Sequence, residues 1–295
     1  MNLTSLPSLA LPHVPPPLSL ANRRRRAALP DQLILLFAGG IMALLAGCAS
    51  PVVSESAPGG AAAKPPAVLK TSIPAFSSSP AGEAVPVGWT EWILHPTKRR
   101  TQYSVVVDSG RSVVRADADR SASGLITALD VDLSATPIIE WQWRAESLVA
   151  EADNAVSFAE DAPLRIVLAF EGDKSALPLR ERLFAERVRL LSGRDLPYAS
   201  LMYIWGNQRP VESLIPNPHT SRIQKLVIDT GSGKLRQWRK HRRNIVADYR
   251  RAFGTAPGRL IAVAVLSDTD NTASNISAYY GDIRLAPAEP GESAR

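Results

Sequence analysis

Apolar and polar residues alternate with a period of two along most of this chain, and no other feature limits its fold as tightly. Successive side chains of an extended strand point to opposite faces, so an alternating run offers one face to a core and the other to water. Residues 103–108, 112–117, 124–130 and 137–143 are short β-branched or aromatic runs of this kind, separated by Gly, Pro, Asp and Ser. Further strands are predicted at 164–170, 201–205, 223–228, 260–266 and 276–285. Nine strands with almost no helix in the first half predict a mainly β fold, a jelly-roll-like β-sandwich. Two amphipathic helices are expected as insertions, over 178–191 and 237–253. In the first, Leu179, Leu183, Val188 and Leu191 gather near one face while Arg180, Arg182, Arg187 and Arg189 fall largely on others; Trp238, Ile245, Tyr249 and Phe253 do the same in the second. The apolar faces should pack and the basic ones should be solvated.

The N-terminal part has a different logic. Four arginines at 23–26 precede an apolar run over 33–45. That run is shorter than the roughly twenty residues a membrane span needs and reads as the core of an export signal. It ends in Leu45-Ala46-Gly47-Cys48, which resembles the bacterial lipobox. The resemblance implies cleavage before Cys48 and diacylation of its thiol, and Ala49 in place of aspartate implies an outer-membrane lipoprotein facing the periplasm or the surface. Cys48 is the only cysteine, so an intrachain disulfide is excluded. The expected organisation is a signal peptide over 1–47, a flexible Ala/Pro/Ser/Gly tether over 48–84, a β-sandwich domain over 85–286 and a disordered tail over 287–295. The first 47 residues carry four arginines against Asp31, so their removal lowers the net charge from +6 to +3. Much of the basic balance therefore belongs to the signal, and with no basic groove of spaced aromatics, a nucleic-acid partner is not expected.

Motifs of known chemistry are mostly incomplete. Asp229-Thr230-Gly231 has the form of an aspartic-protease signature, but that chemistry needs two carboxylates sharing a proton and the chain has no second copy; the stretch reads as a tight turn. Gly231-Ser232-Gly233-Lys234 lacks the spacing of a phosphate loop. His95, His219 and His241 are scattered among Pro and Arg. The densest oxygen cluster is Asp268, Thr269, Asp270, Asn271 and Thr272. Asp268 and Asp270 are the candidate metal ligands, with Asp282 or Asp161 joining across the fold, because a hard cation such as Ca²⁺ takes six to eight oxygens; an Asx-rich turn satisfying its own backbone is the alternative. Trp141 and Trp143 share one face of a strand, and Trp89, Trp92, Trp205, Tyr279 and Tyr280 are further aromatics of either a core or a sugar platform.

Taken in order, Trp141-x-Trp143, Asp161-Ala-Pro-x-Arg165, Tyr203-Ile-Trp-Gly206, Asn217-Pro218, Arg243-Asn-x-x-x-Asp248-Tyr and the Asp268 cluster resemble an exported bacterial family known as a domain of unknown function, over about 88–285. The resemblance implies an all-β envelope protein and supplies no catalytic residue; the closing run over 279–285 is also similar to galactose-binding-type jelly rolls. The leading functional expectation is a lipid-anchored binding module for an envelope glycan or other periplasmic ligand, with Asp161, Arg165, Trp205, Asn217 and Asn271 as ligand contacts beside Asp268 and Asp270. One alternative is a carboxylate-based glycan hydrolase or lyase using Asp161 and Asp268. The other is an envelope structural or assembly factor.

Overall fold

A computed structural model describes residues 70–193 and 195–289. The signal over 1–47, Cys48 and the last residues of the tail lie outside the described part. Twelve strands form two sheets: β1 (Thr90–Ile93), β2 (Gln102–Asp108), β3 (Arg111–Asp119), β4 (Ala122–Val131), β5 (Ile138–Ala145), β6 (Ala162–Phe170), β7 (Ala199–Gly206), β8 (Leu214–Pro216), β9 (Ile223–Thr230), β10 (Arg239–Asn244), β11 (Leu260–Asp268) and β12 (Asn275–Ala286). One sheet has seven strands in the order β1-β4-β11-β6-β7-β9-β8, and the other has five in the order β10-β5-β12-β3-β2. All pairs are antiparallel except β7 with β9. All nine runs of alternation are strands. The short, polar or proline-bearing strands β1, β8 and β10 are additional.

The alternation is visible as burial. On β5 Trp141, Trp143 and Ala145 are buried while Glu140, Gln142 and Arg144 between them are partly exposed. The inward residues of both sheets belong to one buried cluster, which includes Leu125, Leu168 and Val265 from the larger sheet and Ala116, Trp143 and Tyr280 from the smaller. Trp141 of β5 stacks on Tyr203 of β7 with ring centroids 5.1 Å apart and planes 9° from parallel.

Three expectations are corrected. First, the part of the proposed tether from Lys70 to Ala84 is packed on the domain. Lys70 bridges to Leu129 of β4, Ile73 and Phe76 enter the core, and Phe76 meets Trp89 at 4.7 Å. A few large apolar residues in a Pro/Ser-rich stretch suffice to fix it. Second, the helix expected over 237–253 is helical only as α2 (Ile245–Phe253). Its first half is β10, whose register with β5 runs from Arg239 opposite Trp143 to Asn244 opposite Ile138. Asn244 marks the switch, its Oδ1 accepting from Ala247 N at 3.1 Å as a helix N-cap.

Third, α1 (Leu179–Ser192) is a helix with its leucines turned outward. Leu179, Leu183, Leu190 and Leu191 are 62, 61, 74 and 60 % exposed, and the residue it buries is Glu181. Glu181 accepts from Thr220 Oγ1 and from Ser221 N, so polar contacts, not the apolar stripe, set the rotation of this helix. Among the described residues no helix is long and apolar enough to cross a membrane.

Candidate functional site

Pairing of β6 with β11 sets Leu266 opposite Arg165 and Asp268 opposite Ala162, which brings several of the expected site residues together. Arg165 grips Asp268 through Nε and Nη2, each 3.1 Å from a different carboxylate oxygen, and Ala162 N donates to Asp268 Oδ1 at 2.8 Å. Asp161 accepts from Asn271 N at 3.3 Å and from Thr272 N and Oγ1 at 2.8 and 2.7 Å. Lys225 donates to Asn154 O at 2.7 Å and pairs with Glu160 at 2.9 Å. Asp161, Asp268 and Asp270 each offer an oxygen within 4.8 Å of the others. Burial pushes the Asp268 carboxyl up to about 6; Arg165 opposes the rise and the Asp161 charge adds to it.

The arrangement is closed rather than open. Asp161, Arg165 and Trp205 are 1, 2 and 0 % exposed, so these three, expected as ligand contacts, are enclosed in protein. A charge held out of water needs partners, and Asp161 and Arg165 have theirs in Asp268, Glu160 and the 271–272 backbone. An Asp161/Asp268 acid–base pair would need a cleft for its sugar; here one member is locked to an arginine. Trp205 and Asn217 do not join the cluster. Trp205 Nε1 donates to Gly231 O at 3.2 Å, and Asn217 Oδ1 accepts from His219 N at 2.9 Å in an Asx turn. The Asn271 side chain is exposed. Asp270 Oδ2 pairs with Lys98 at 2.6 Å, while its buried Oδ1 has no partner.

A second site lies on the five-stranded sheet, where a hollow of 560 Å³ is lined by Glu140, Trp141 and Gln142 of β5, Lys240 and His241 of β10, and Asp282 of β12, among others. A bulge in β12 between Tyr280 and Ile283 holds Gly281, and a Cβ there would come within 2.5 Å of the Gln142 side chain. Glycine at that position therefore lets Gln142 lie across the strand. Burial raises the Glu140 carboxyl, but Arg284 and Arg242, both hydrogen-bonded to it, outweigh that and hold it below the usual carboxylate range. Asp282 accepts from Ser77 N at 2.8 Å and Ser77 Oγ at 2.6 Å. Behind the hollow, Asp229 accepts from Trp143 Nε1 at 2.8 Å and lies 2.7 Å from His241 Nε2. Burial of Asp229 is outweighed by these contacts and by Arg239, which keep its carboxyl low. Asp229 is thus a buried residue of β9, not part of a tight turn.

Of the three inward indoles here, Trp143 and Trp205 have hydrogen-bond acceptors and Trp141 does not. Trp141 is buried with its ring turned inward onto Tyr203, and its Nε1 is without a hydrogen-bond partner. The sequence singles out Trp141 and His241 but not Gln142, an outward polar residue of β5 like any other, nor Lys240, because residues 237–244 carry a charge pattern that a helix face would also carry. The alternation of Trp238, Lys240 and Arg242 against Arg239, His241 and Arg243 was the available signal.

Comparison with solved structures finds distant likenesses. A family 11 carbohydrate-binding module of the cellulase Lic26A-Cel5E of Clostridium thermocellum is 10% identical, with 73% of this chain and 99% of the module covered at a TM-score of 0.36. A family 12 xyloglucanase from Bacillus licheniformis is 6% identical, with 74% and 98% covered at 0.39. The CBM22-1 xylan-binding domain of Xyn10C from Paenibacillus barcinonensis is 13% identical, with 73% and 93% covered at 0.30. These likenesses are too remote to bear on ligand or reaction. Comparison with curated proteins finds no match. Residues 87–284, more than half of the sequence, match the family described as "Protein of unknown function (DUF3047)", and the chain belongs to that family.

Proposed function

We propose that this chain is a non-catalytic module of the bacterial cell envelope, a jelly-roll β-sandwich anchored through lipid on Cys48, that binds a glycan in the hollow of the five-stranded sheet. The observation that carries the reading is the hollow itself, about 560 Å³ and lined by Glu140, Gln142 and Lys240 from the outward face of the sheet. Gln142, Lys240 and Arg111 place donors around that space, a set suited to a molecule rich in hydroxyl and carboxylate oxygens. Binding is favoured over hydrolysis because a general acid needs a raised carboxyl pKa, and Glu140 is held low by two arginines. The test is a panel of cell-wall and lipopolysaccharide sugars followed by calorimetry. One of them should bind, and Gln142→Ala/Lys240→Ala should weaken it at least about tenfold. Absence of binding across the panel, or a double variant that binds like the parent, would refute the proposal.

A second reading, favoured by the orphaned Asp270 Oδ1, is a hard-cation site at Asp161, Asp268 and Asp270. These three supply part of a Ca²⁺ shell, the rest coming from carbonyls and water. Arg165 and Lys98 compete with it by neutralising Asp268 and Asp270. Calcium that binds only the folded chain must raise its melting midpoint.

A further inference from the structure

The outward leucines of α1 are four of the eight exposed large hydrophobic side chains of the described surface. At 3.6 residues per turn, Leu179, Leu183 and Leu190 fall within about 40° of arc and form one ridge along the helix. Arg180 and Arg187 lie about 40–60° beyond one edge of that arc, and Arg182 and Arg189 about 60–80° beyond the other. The opposite side of the helix is the one held to the protein: Glu181 is bonded to Thr220 and Ser221, and Val188 and Ser192 line an apolar groove over the seven-stranded sheet with Val167 and Met202. The ridge therefore cannot turn inward without breaking those bonds. Arg189 pairs with Glu186 at 2.5 Å; Arg180, Arg182 and Arg187 make no ion pair among the described residues.

An apolar ridge between two rows of guanidinium groups fits a surface that is oily within and anionic at its boundary. Leucines enter the acyl region while flanking arginines reach phosphate, the arrangement of a helix lying in the plane of a membrane interface. We infer that α1 is a membrane-docking ridge that binds the surface of an anionic phospholipid bilayer with its leucines inserted. Four arginines against two glutamates on the helix supply the charge complementarity. The contact is independent of any lipid on Cys48, and it is independent of the hollow on the other sheet.

The test uses the chain from residue 48 onward carrying Cys48→Ser, the form left once the proposed signal is removed, so that neither acylation nor the arginines and apolar run of residues 23–45 contribute; it is sedimented with vesicles of phosphatidylcholine containing about 30% phosphatidylglycerol. The parent should sediment with these vesicles more than with pure phosphatidylcholine, and less at high salt. Leu183→Ser/Leu190→Ser should reduce binding at least about twentyfold with an unchanged melting midpoint, because both side chains are exposed in the free protein. Arg180→Gln/Arg187→Gln should reduce it about tenfold and remove the preference for anionic lipid; this second variant decides the matter if the first does not fold. Binding left in the ridge variant is that of the remaining chain. The proposal is overturned if the parent ignores anionic vesicles, if both folded variants bind as the parent does, or if the ridge instead joins two copies of the chain, seen as a lipid-free dimer that Leu183→Ser/Leu190→Ser converts to monomer.

Discussion

Two buried aspartates, Asp268 at the end of β11 and Asp229 near the end of β9, are both hydrogen-bonded to an arginine, yet their acidities are displaced in opposite directions. Asp268 shares its surroundings with Asp161, and the rise from burial and from that second charge exceeds what Arg165 restores. No carboxylate is among the largest influences on Asp229; Trp143, His241 and Arg239 all stabilise its ionised form. A single arginine thus does not decide the state of an interior carboxylate. The sum over its neighbours does, and the crowded site is the one under electrostatic tension.

The comparison can be broken most severely at Arg165. Arg165→Met leaves Asp268 buried without its cation, and urea unfolding should show a loss of about 3–5 kcal/mol. Asp229→Asn removes charge from three hydrogen bonds but leaves an acceptor in place, so the same measurement should show about 2–3 kcal/mol. The two sites should then separate by pH. A raised folded pKa means that the contribution of Asp268 is greatest below its unfolded value and declines as pH rises through about 6; the stability difference between the parent and Asp268→Asn should shift by about 2 kcal/mol between pH 4 and 7. Asp229, depressed, contributes above its unfolded value and loses that contribution as pH falls through the lower folded one. Its variant should therefore differ from the parent by a nearly constant amount from about pH 5 upward, and by less in stronger acid. The smallest effect expected is that of calcium, about 1.4 kcal/mol at ten times its dissociation constant, read as a rise in melting midpoint that Asp270→Ala abolishes. A rise that survives Asp270→Ala places the ion elsewhere.

The strands that bury one face, such as β3, β5 and β12, were legible because alternation survives any tertiary context that has a core on one side. β10 was not, since Arg239, His241 and Arg243 are inward only by virtue of Asp229, Asp248 and Glu212 waiting on other elements. No local pattern announces such partners. α1 was found as a helix but with its faces exchanged, because the rule that apolar stripes are buried presumes a core beneath them, and the sheet meets this helix through Glu181. The convergence of Asp161 with Asp268 and Asp270 was foreseeable from their chemistry as a group. That it would be sealed by Arg165 depends on the β6–β11 register, which spacing along the chain does not encode, and the hollow depends on the bulge at Gly281.

The stretch from Lys70 to Ser79 has a mechanical meaning. It leaves the edge of β4, sinks Phe76 beneath Trp89 and clamps Asp282 through Ser77 before the first full strand begins. Ile73 and Ala75 form part of the rim of the hollow. Tension applied from the N-terminal side would thus meet the bridge from Lys70 to β4 first and the rim of the hollow only after that bridge gave way, so a single contact with the seven-stranded sheet shields the mouth of the hollow when the chain is pulled.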